Sequence, residues 1–238
     1  KISRFKNQIL NFSAIIMAGG YGSRMGNLAI KTPKPLLKDI DKQPIILNTI
    51  QFFKNYQINK IYVSLFHEKE VIKKKIKQRF KNEINFVYEK TKSGSIAAIR
   101  NLNLKNNENL LVINCDTILK FNPYIVNIHH KKLNNDLTIV CSIDEINYNY
   151  GLVNVNKKSE VMSLIEKPIN EVFINTGCYI LNKKIAKIIP KNKKFDADEL
   201  INLAVKKNFK VGVFPIYKEM WTDIGTEVKY KDYLKYGK

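Results

Sequence analysis

A glycine-rich stretch that carries an arginine and a lysine is the first part of the sequence that could do chemistry. The stretch "MAGGYGSRMGNLAIKTPKPLL", residues 17–37, follows an apolar run at residues 13–16. A glycine loop after a strand exposes backbone N–H groups that can line a phosphate chain. Arg24 adds a fork of donors suited to two phosphate oxygens, and the prolines beside Lys34 predict a stiff, extended segment that fixes its ammonium. The stretch predicts a phosphate site, with a tight turn and a surface arginine as the alternative.

Two aspartates are candidate ligands of a metal ion. Asp116 follows the apolar run "NLLVINC", and Asp223 lies in "WTDIG", so each ends or follows a predicted strand. Two carboxylates at one sheet edge suit Mg²⁺, which takes few protein ligands and completes its shell with phosphate oxygens. A turn residue at Asp116 and a helix cap at Asp223 are the structural alternatives. The histidines have no predicted role, and the pair His129 and His130 is expected on an exposed helix surface.

The first two thirds of the chain alternate between short apolar runs and helix-like stretches. Helix 70–80 places Ile72, Ile76 and Phe80 on one face with lysines elsewhere, the pattern of an amphipathic helix. Strands are predicted at 13–18, 60–66, 84–89 and 109–116, and helices at 44–56, 70–80 and 94–102. The alternation predicts an α/β fold with a Rossmann-like, mostly parallel sheet that helices cover on both faces. Ligands of such sheets gather beyond the carboxyl ends of the strands.

The pattern changes after about residue 135. Four strand-like runs without long helices between them predict a β-rich insertion or extension from roughly residue 136 to 182. A helix at 195–207, a strand at 210–216 and a helix at 226–237 then return to α/β character. We see no repeat and no long linker, so we expect a lead-in at residues 1–12 and one continuous domain at 13–238.

The formal net charge of +20 raises the question of nucleic-acid binding. Of the 41 basic residues 37 are lysine, and they are spread along the chain, so a solvated lysine-rich surface is favoured over a nucleic-acid site. No apolar run approaches the roughly 20 residues of a membrane helix, and no signal peptide is evident at the start. Three cysteines without a C-x-x-C pair indicate reduced thiols in a cytoplasmic protein. We expect no membrane partner.

Several motifs together resemble a known family. G-G-x-G-S-R-M followed by P-K-P-L-L resembles the signature of sugar-1-phosphate nucleotidyltransferases, which join a nucleoside triphosphate to a hexose 1-phosphate and release pyrophosphate. The later segments "NCDTIL", "YGLVNV", "EKP", "INTGCYIL" and "WTDIGT" resemble further family segments in the same order. The resemblance implies a GT-A-like nucleotidyltransferase fold with a β-rich sugar-binding portion, and Mg²⁺ as the cofactor.

The resemblance also implies a role for each matching residue. Arg24 would stabilise the transferring phosphate and the departing pyrophosphate, and Lys34 would hold the phosphates. Asp116 and Asp223 match the metal-binding aspartates. The expected nucleotide-binding residues are Ala18, Gly19, Gly20, Gly22, Glu89 and Gly94. The expected sugar-phosphate-binding residues are Gly151, Glu166, Lys167 and Asn175.

The choice of base depends on Glu89, which lies where the family places a residue that reads the base edge. A carboxylate accepts hydrogen bonds and matches the two adjacent N–H donors of guanine, so GTP is favoured. The same carboxylate can accept from the N3–H of thymine or uracil, so dTTP or UTP remains an alternative. CTP also stays open, as does an acceptor other than a hexose phosphate. A non-catalytic module that senses nucleotide sugars or binds nucleic acid is the alternative of another class.

The sequence departs from the family pattern at three places. "KSGSIAAI" stands where the family commonly has L-G-T-A-G-A, with Ala97 in place of the second glycine. Cys115 replaces a glycine before the metal-binding aspartate, and Gly26 replaces a basic residue found in many members. These changes affect residues near the nucleotide, so they could alter base choice or slow turnover.

The last third resembles one branch of the family. "FDADELINLAVKKNFKVGVFPIYKEMWTDIG" is similar to enzymes found behind paired CBS domains, which include glucosamine-1-phosphate guanylyltransferases. The resemblance implies a CBS region upstream of Lys1 and an enzyme for precursors of surface glycans. The expected partners are a nucleoside triphosphate and a sugar 1-phosphate, with no nucleic acid, and a homo-oligomer stays open.

Overall fold

The structure is a computed structural model that describes residues 12–58, 60–89, 94–191 and 193–237. The strands are β1 (Phe12–Met17), β2 (Ile61–Leu65), β3 (Ile84–Tyr88), β4 (Asn109–Asn114), β5 (Thr117–Leu119), β6 (Leu137–Asn147), β7 (Leu152–Val155), β8 (Val161–Ile165), β9 (Ile169–Leu181), β10 (Val211–Ile216) and β11 (Trp221–Asp223). The helices are α1 (Asn27–Lys31), α2 (Ile45–Asn55), α3 (Lys69–Phe80), α4 (Pro123–Lys132), α5 (Lys183–Lys187), α6 (Ala197–Lys206) and α7 (Glu227–Tyr236). Within these ranges no helix is long and apolar enough to cross a bilayer.

The central sheet of the described residues has the strand order β10-β6-β9-β4-β1-β2-β3. The pairs β1–β2, β1–β4, β2–β3 and β6–β10 are parallel, and β9 runs antiparallel to both β4 and β6. Every residue of β1 is buried, because helices cover both faces of the sheet and a near-continuous apolar strand is stable only there. The predicted α/β fold with a mostly parallel sheet is confirmed.

The two faces of the sheet pack against different helices. Successive side chains of a strand point to opposite faces, so Ile16 packs with Ile50 of α2 and Ile76 of α3 in one buried cluster. Ile15 packs in a second cluster with Leu200 and Ala204 of α6. The expectation of helices on both faces is therefore also confirmed.

The β-rich portion spans β6 to β9, residues 137–181, close to the predicted 136–182. It is not an insertion as a whole, because β6 and β9 are central strands of the main sheet. Their pairing continues past the sheet to Asn147 and Ile169, after a register shift between Val140 and Cys141. Between them β7 and β8 pair with each other in a separate two-stranded sheet, which we call the β7–β8 hairpin.

A third, smaller cluster of buried side chains joins segments that are far apart in the sequence. Met25 from the glycine-rich stretch packs with Leu37 from "PKPLL" and Ile224 from "WTDIG". Ile45 of α2 and two tyrosines of α7 complete the cluster, and Tyr230 donates a hydrogen bond of 2.6 Å to the Lys38 carbonyl. The apolar residues of the three motifs pack together, and this packing brings the charged residues beside them to one place.

Three local predictions are wrong. The predicted helix 94–102 is a 3-10 turn at Ala97–Asn101, and Lys34–Leu36 also forms a 3-10 turn instead of an extended segment. Pro33 fixes the start of that turn with φ −51°, a value compatible with both conformations. Phe12 belongs to β1 and not to the lead-in, whose other residues lie outside the described ranges.

The expectation of an exposed histidine pair is wrong for His130. Its side chain is 2% exposed, and its Nδ1 lies 2.8 Å from the Thr138 hydroxyl. Neighbours on a helix point in different directions, so His130 lies on the buried face of α4 with Val126 while His129 is half-buried. Burial lowers the pKa of His130 to about 4, so the ring is neutral and structural at pH 7.

Candidate active site

A cavity of about 310 Å³ lies at the carboxyl ends of the parallel strands. Met17 ends β1, Asn114 ends β4 and Glu89 follows β3, and all three line the cavity. The glycine-rich loop after β1 also lines it, through Gly19, Gly20 and Gly22. This is the edge at which ligands of parallel sheets bind. Ala18 is buried, its amide donates to the Ser64 carbonyl, and it is not among the residues that line the cavity.

Gly22 brings the glycine-rich loop against the turn that carries Lys34. Its φ of +67° lies in the left-handed region, which favours glycine, and a Cβ there would lie 3.2 Å from Cβ of Lys34. The next three residues, Ser23–Met25, form a 3-10 turn that Met25 anchors in the third buried cluster. The loop therefore places Arg24 and Lys34 beside the same cavity.

Lys34 and Asp116 form a nearly buried ion pair. The Lys34 ammonium contacts Oδ2 of Asp116 and also donates a hydrogen bond of 3.3 Å to the Gly225 carbonyl. The side chains are 10% and 12% exposed, so bulk water screens the pair poorly. The Arg24 guanidinium lies 4.0 Å from the same carboxylate oxygen and is largely exposed to the cavity mouth. Two cations thus face one carboxylate.

Asp223 lies next to Asp116 because β11 pairs with β5. In this antiparallel pair Asp223 is opposite Thr117, the residue after Asp116, and the Ile224 amide donates to the Asp116 carbonyl at 3.0 Å. A Cβ at Gly225 would lie 2.7 Å from Oδ1 of Asp223 and 2.9 Å from Oδ2 of Asp116. The two carboxylates therefore border one small space that a glycine leaves open.

The residues present fit a magnesium ion that phosphates help to hold. Within the described ranges no group of three or more His, Cys, Asp or Glu side chains could hold a metal by itself. Mg²⁺ needs fewer, since it typically takes one or two carboxylates together with water and phosphate oxygens. Lys34 balances the charge of Asp116, and Lys229 pairs with Asp223.

Glu89 is a buried carboxylate on the wall of the cavity. It is 9% exposed, and the Ser64 hydroxyl donates to its Oε1 at 2.6 Å. A Cβ at Gly19 would lie 3.0 Å from the same oxygen, so the loop passes directly over the carboxylate. One oxygen of Glu89 is held in place by Ser64, and the carboxylate can still accept from a ligand.

Gly94 lines the cavity and packs on the segment before α6. Its φ is +101°, and a Cβ there would collide with the Phe195 carbonyl. Residues 92 and 93 of "KSGSIAAI" lie outside the described ranges. Cys115 lines the cavity as expected for a side chain near the nucleotide, and burial together with the Asp116 charge raises its pKa to about 12. The thiol is therefore protonated at pH 7 and is not a nucleophile.

Three of the expected sugar-phosphate residues lie beside the ends of the β7–β8 hairpin, and Asn175 lies on β9. A Cβ at Gly151 would lie 2.9 Å from Oε2 of Glu166, across the start of the β7–β8 hairpin. Lys167 follows with φ +44°, and Asn175 accepts from the Gly177 amide and donates to Tyr179. None of the expected sugar residues lines the cavity. Gly177 packs against Asn114 at the cavity, and this contact links Asn175 to the cavity.

The comparison with protein families matches residues 13–236 to the family described as Nucleotidyl transferase. The chain belongs to this family. Its fold is that of the nucleotidyltransferases of the GT-A-like class, as the resemblance implied, and the roles of the individual motif residues stay predictions. The resemblance to the CBS-associated branch stays a prediction.

The curated relatives that match the chain include guanylyltransferases. The chain is 30% identical to the D-glycero-alpha-D-manno-heptose 1-phosphate guanylyltransferase of Campylobacter jejuni, over 93% of this chain and 98% of that protein. It is 29% identical to the mannose-1-phosphate guanylyltransferase catalytic subunit beta of Xenopus tropicalis, over 72% of this chain and 50% of that protein. The chain thus spans about half the length of that relative, and 62% of mannose-1-phosphate guanyltransferase beta-B of Xenopus laevis.

Solved structures of similar proteins have the same fold. The crystal structure of HddC from Yersinia pseudotuberculosis matches with a TM-score of 0.68 and 26% identity, over 95% of this chain and 99% of that one. The same protein complexed with GMP-PN matches with a TM-score of 0.67.

Sequence reasoning missed several residues that line the cavity. Asp196 had a readable signal, since Asp-x-x-Glu at 196–199 is a helix-capping pattern, but that pattern places it only at a helix start. Three others lie within the glycine-rich stretch, and the rest come from segments that meet only in the fold. The lining residues without a predicted role are Met17, Tyr21, Ser23, Phe66, Ser95, Asn114, Lys194 and Asp196.

Proposed function

We propose that the chain transfers GMP from GTP to a sugar 1-phosphate and releases pyrophosphate, forming a nucleotide sugar. The observation that carries the proposal is the meeting of Arg24, Lys34, Asp116 and Asp223 around Gly225, beside a cavity lined by the glycine-rich loop. Four charged groups from three distant segments have no structural need to converge at a cavity.

The reaction is a displacement at the α-phosphorus of GTP. A phosphate oxygen of the sugar 1-phosphate forms the new bond to the α-phosphorus, and the bond to the oxygen shared with the β-phosphate breaks. The nucleophile is already an anion, so the reaction requires no general base. Arg24 stabilises the charge on the α-phosphate and the leaving group, and Lys34 holds the phosphates.

Asp116 and Asp223 are the residues that would hold Mg²⁺. A bound Mg²⁺ supplies positive charge to the phosphate oxygens and orients them for displacement. Lys34 and Lys229 are placed to exchange their carboxylate partners for phosphate oxygens. The formal charge of +20 favours the approach of such polyanionic substrates.

Glu89 and Gly94 form the proposed base site. The Glu89 carboxylate accepts from N1–H and N2–H of guanine, and adenine presents no such pair of donors. The guanylyltransferase relatives and the GMP-PN complex of HddC support GTP over dTTP, UTP and CTP. Gly151, Glu166, Lys167 and Asn175 form the proposed site for the sugar phosphate. The three free cysteines agree with a cytoplasmic location.

The experiment that tests the proposal is pyrophosphate release with Mg²⁺, five nucleoside triphosphates and a panel of sugar 1-phosphates. The panel contains mannose, glucose and glucosamine 1-phosphates and a manno-heptose 1-phosphate. Wild type is compared with Asp116→Asn and with Asp232→Asn, an exposed substitution on α7. We expect release with GTP and one sugar phosphate, loss in Asp116→Asn, and full activity in Asp232→Asn.

Two results would overturn the proposal. Release with another triphosphate but not with GTP would refute the base assignment. No release with any pair, together with salt-dependent binding to DNA or RNA, would favour the non-catalytic alternative.

A further inference from the structure

Asp196 joins the start of α6 to the turn at Gly94 and Ser95. Its Oδ1 accepts a hydrogen bond of 2.6 Å from the Ser95 amide. In return the Ser95 hydroxyl accepts one of 3.0 Å from the Ala197 amide. These two bonds, which we call the Ser95–Asp196 contact, connect segments about a hundred residues apart in the sequence.

The contact holds the turn against a part of the chain that is fixed in the core. Phe195 is 4% exposed and packs with Leu200 and Ala204 in the second buried cluster. Gly94 lies directly on the Phe195 backbone, where any side chain would collide. Gly94, Ser95 and Asp196 all line the cavity, so the contact forms part of the cavity wall.

Helix capping alone does not account for the Asp196 carboxylate. Asp196 and Glu199 form a capping box, in which each side chain accepts from the other's backbone amide, and this satisfies the helix start. The Ser95 amide and the Lys194 ammonium are additional partners, the latter at 3.1 Å. Burial acts to raise the pKa of Asp196, but these partners outweigh it and lower the pKa, so the carboxylate is ionised at pH 7.

We propose that Asp196 is a positioning residue for the nucleotide. It fixes the Gly94–Ser95 turn in the place where the base binds, so the affinity for GTP depends on a carboxylate that caps α6. A glycine turn without this anchor loses conformational freedom when the base binds, and that loss weakens binding. The inference rests on the proposed function, because it takes the cavity as the nucleotide site.

The test uses two variants that separate positioning from helix stability. Asp196→Ser keeps a good helix cap, but its shorter side chain does not reach the Ser95 amide. Glu199→Ala weakens the capping box and leaves the Ser95–Asp196 contact intact. Asp196→Asn can still accept from the Ser95 amide and serves as the conservative variant. The full chain is used throughout, with KM for each substrate, kcat, thermal midpoint and calorimetric titration with GTP as readouts.

We expect Asp196→Ser to raise the KM and the dissociation constant for GTP by about tenfold, as for loss of a hydrogen bond to a charged group. The KM for the sugar phosphate should stay within about twofold of wild type on the same scale. Glu199→Ala should lower the thermal midpoint and leave the KM for GTP unchanged, and Asp196→Asn should restore most of the affinity.

Equal increases of the GTP KM in Asp196→Ser and Glu199→Ala would overturn the inference, because helix stability would then explain both. No increase in Asp196→Ser would overturn it as well. Failure of the proposed function has a different signature, since wild type would then release no pyrophosphate with any substrate pair. The calorimetric comparison of GTP binding would still decide the role of Asp196 in that case.

Discussion

The cavity beside β1 and the β7–β8 hairpin differ in how far packing supports them. Around the cavity Lys34, Asp116 and Glu89 are nearly buried, and each has a partner from another segment. In the hairpin every residue of β8 is exposed, including Met162 at 70% and Leu164 at 62%. A two-stranded hairpin without such support is marginally stable in water.

The proposed site thus has two halves, the nucleotide half in the cavity and the sugar half at the β7–β8 hairpin. The difference in packing indicates that the two halves are preorganised to different degrees. The nucleotide half is held by the sheet edge and by the third buried cluster, so it needs little reorganisation to bind. The sugar half depends on a hairpin whose strand β8 is exposed throughout, so it has less packing support. We therefore expect GTP to bind first and the sugar phosphate to bind to the GTP complex.

The largest effect is expected from Lys34→Met in the cavity. The change removes the ammonium that pairs with Asp116 and, in our proposal, holds the phosphates. We expect kcat for pyrophosphate release to fall by about 10²- to 10³-fold, as for loss of one electrostatic stabiliser. Lys38→Met is the matched control on an exposed position of the same segment. A loss of less than tenfold on that scale would contradict the assigned role.

A smaller but more specific effect is expected from Glu89→Gln, measured with GTP and ITP. ITP lacks the N2 amino group, so wild type should prefer GTP by about tenfold or more, as for a hydrogen bond to a charged group. Glu89→Gln should lose most of this preference, while Glu83→Gln at the other end of β3 should keep it. An unchanged ratio of kcat/KM for GTP over ITP in Glu89→Gln would show that another residue reads the base.

Glu166→Gln tests the hairpin half of the comparison. The change should raise the KM for the sugar phosphate by about fivefold, because one charge-assisted hydrogen bond weakens, and leave GTP binding unchanged. Steady-state kinetics with each substrate varied in turn gives both values. Glu171→Gln, an exposed position on β9, is the control. An equal change in both KM values would break the separation into two halves.

The smallest effect on activity is expected from His130, a buried residue of α4 that contacts the central sheet. The pKa of His130 is lowered by burial to about 4 from an ordinary value of 6.5. Between these values the unfolded chain binds a proton that the folded chain does not. The free energy of unfolding should therefore fall as the pH decreases from about 6.5 to about 4, by at most about 1.4 kcal/mol per pH unit for this group.

Urea unfolding at a series of pH values checks the contribution of His130. His130→Gln should remove this part of the pH dependence, and His129→Gln should keep it. Activity of His130→Gln at pH 7 should be close to that of wild type. The same pH dependence in His130→Gln and wild type would assign it to other groups.

The central strands and the amphipathic helices could be predicted because their signals are local. The buried strand β1 is apolar almost throughout, and Ile72, Ile76 and Phe80 of α3 are all buried as their spacing predicts. The exposed histidine pair was a wrong prediction because the burial of His130 depends on a tertiary contact. Adjacent residues of a helix point in different directions, and the packing of α4 on β6 makes His130 the buried one.

The candidate site could be predicted only in part. The motifs indicated Asp116 and Asp223, but their meeting depends on β5 and β11, strands of three residues that have no recognisable period. The sequence indicated that Asp196 caps a helix. It did not indicate the hydrogen bond to Ser95, because that partner lies about a hundred residues away. Contacts of this kind arise from the tertiary fold, and one sequence carries no local trace of them.

The most direct test of the account is calorimetric titration of the wild-type chain with Mg²⁺ present, using GTP, ATP and the sugar 1-phosphate in separate experiments. We expect GTP to bind without the sugar phosphate, ATP to bind at least about tenfold more weakly, and the sugar phosphate to show no binding until a non-hydrolysable GTP analogue is present. Binding of the sugar phosphate alone, or equal binding of GTP and ATP, would contradict a preformed guanine nucleotide site in the cavity.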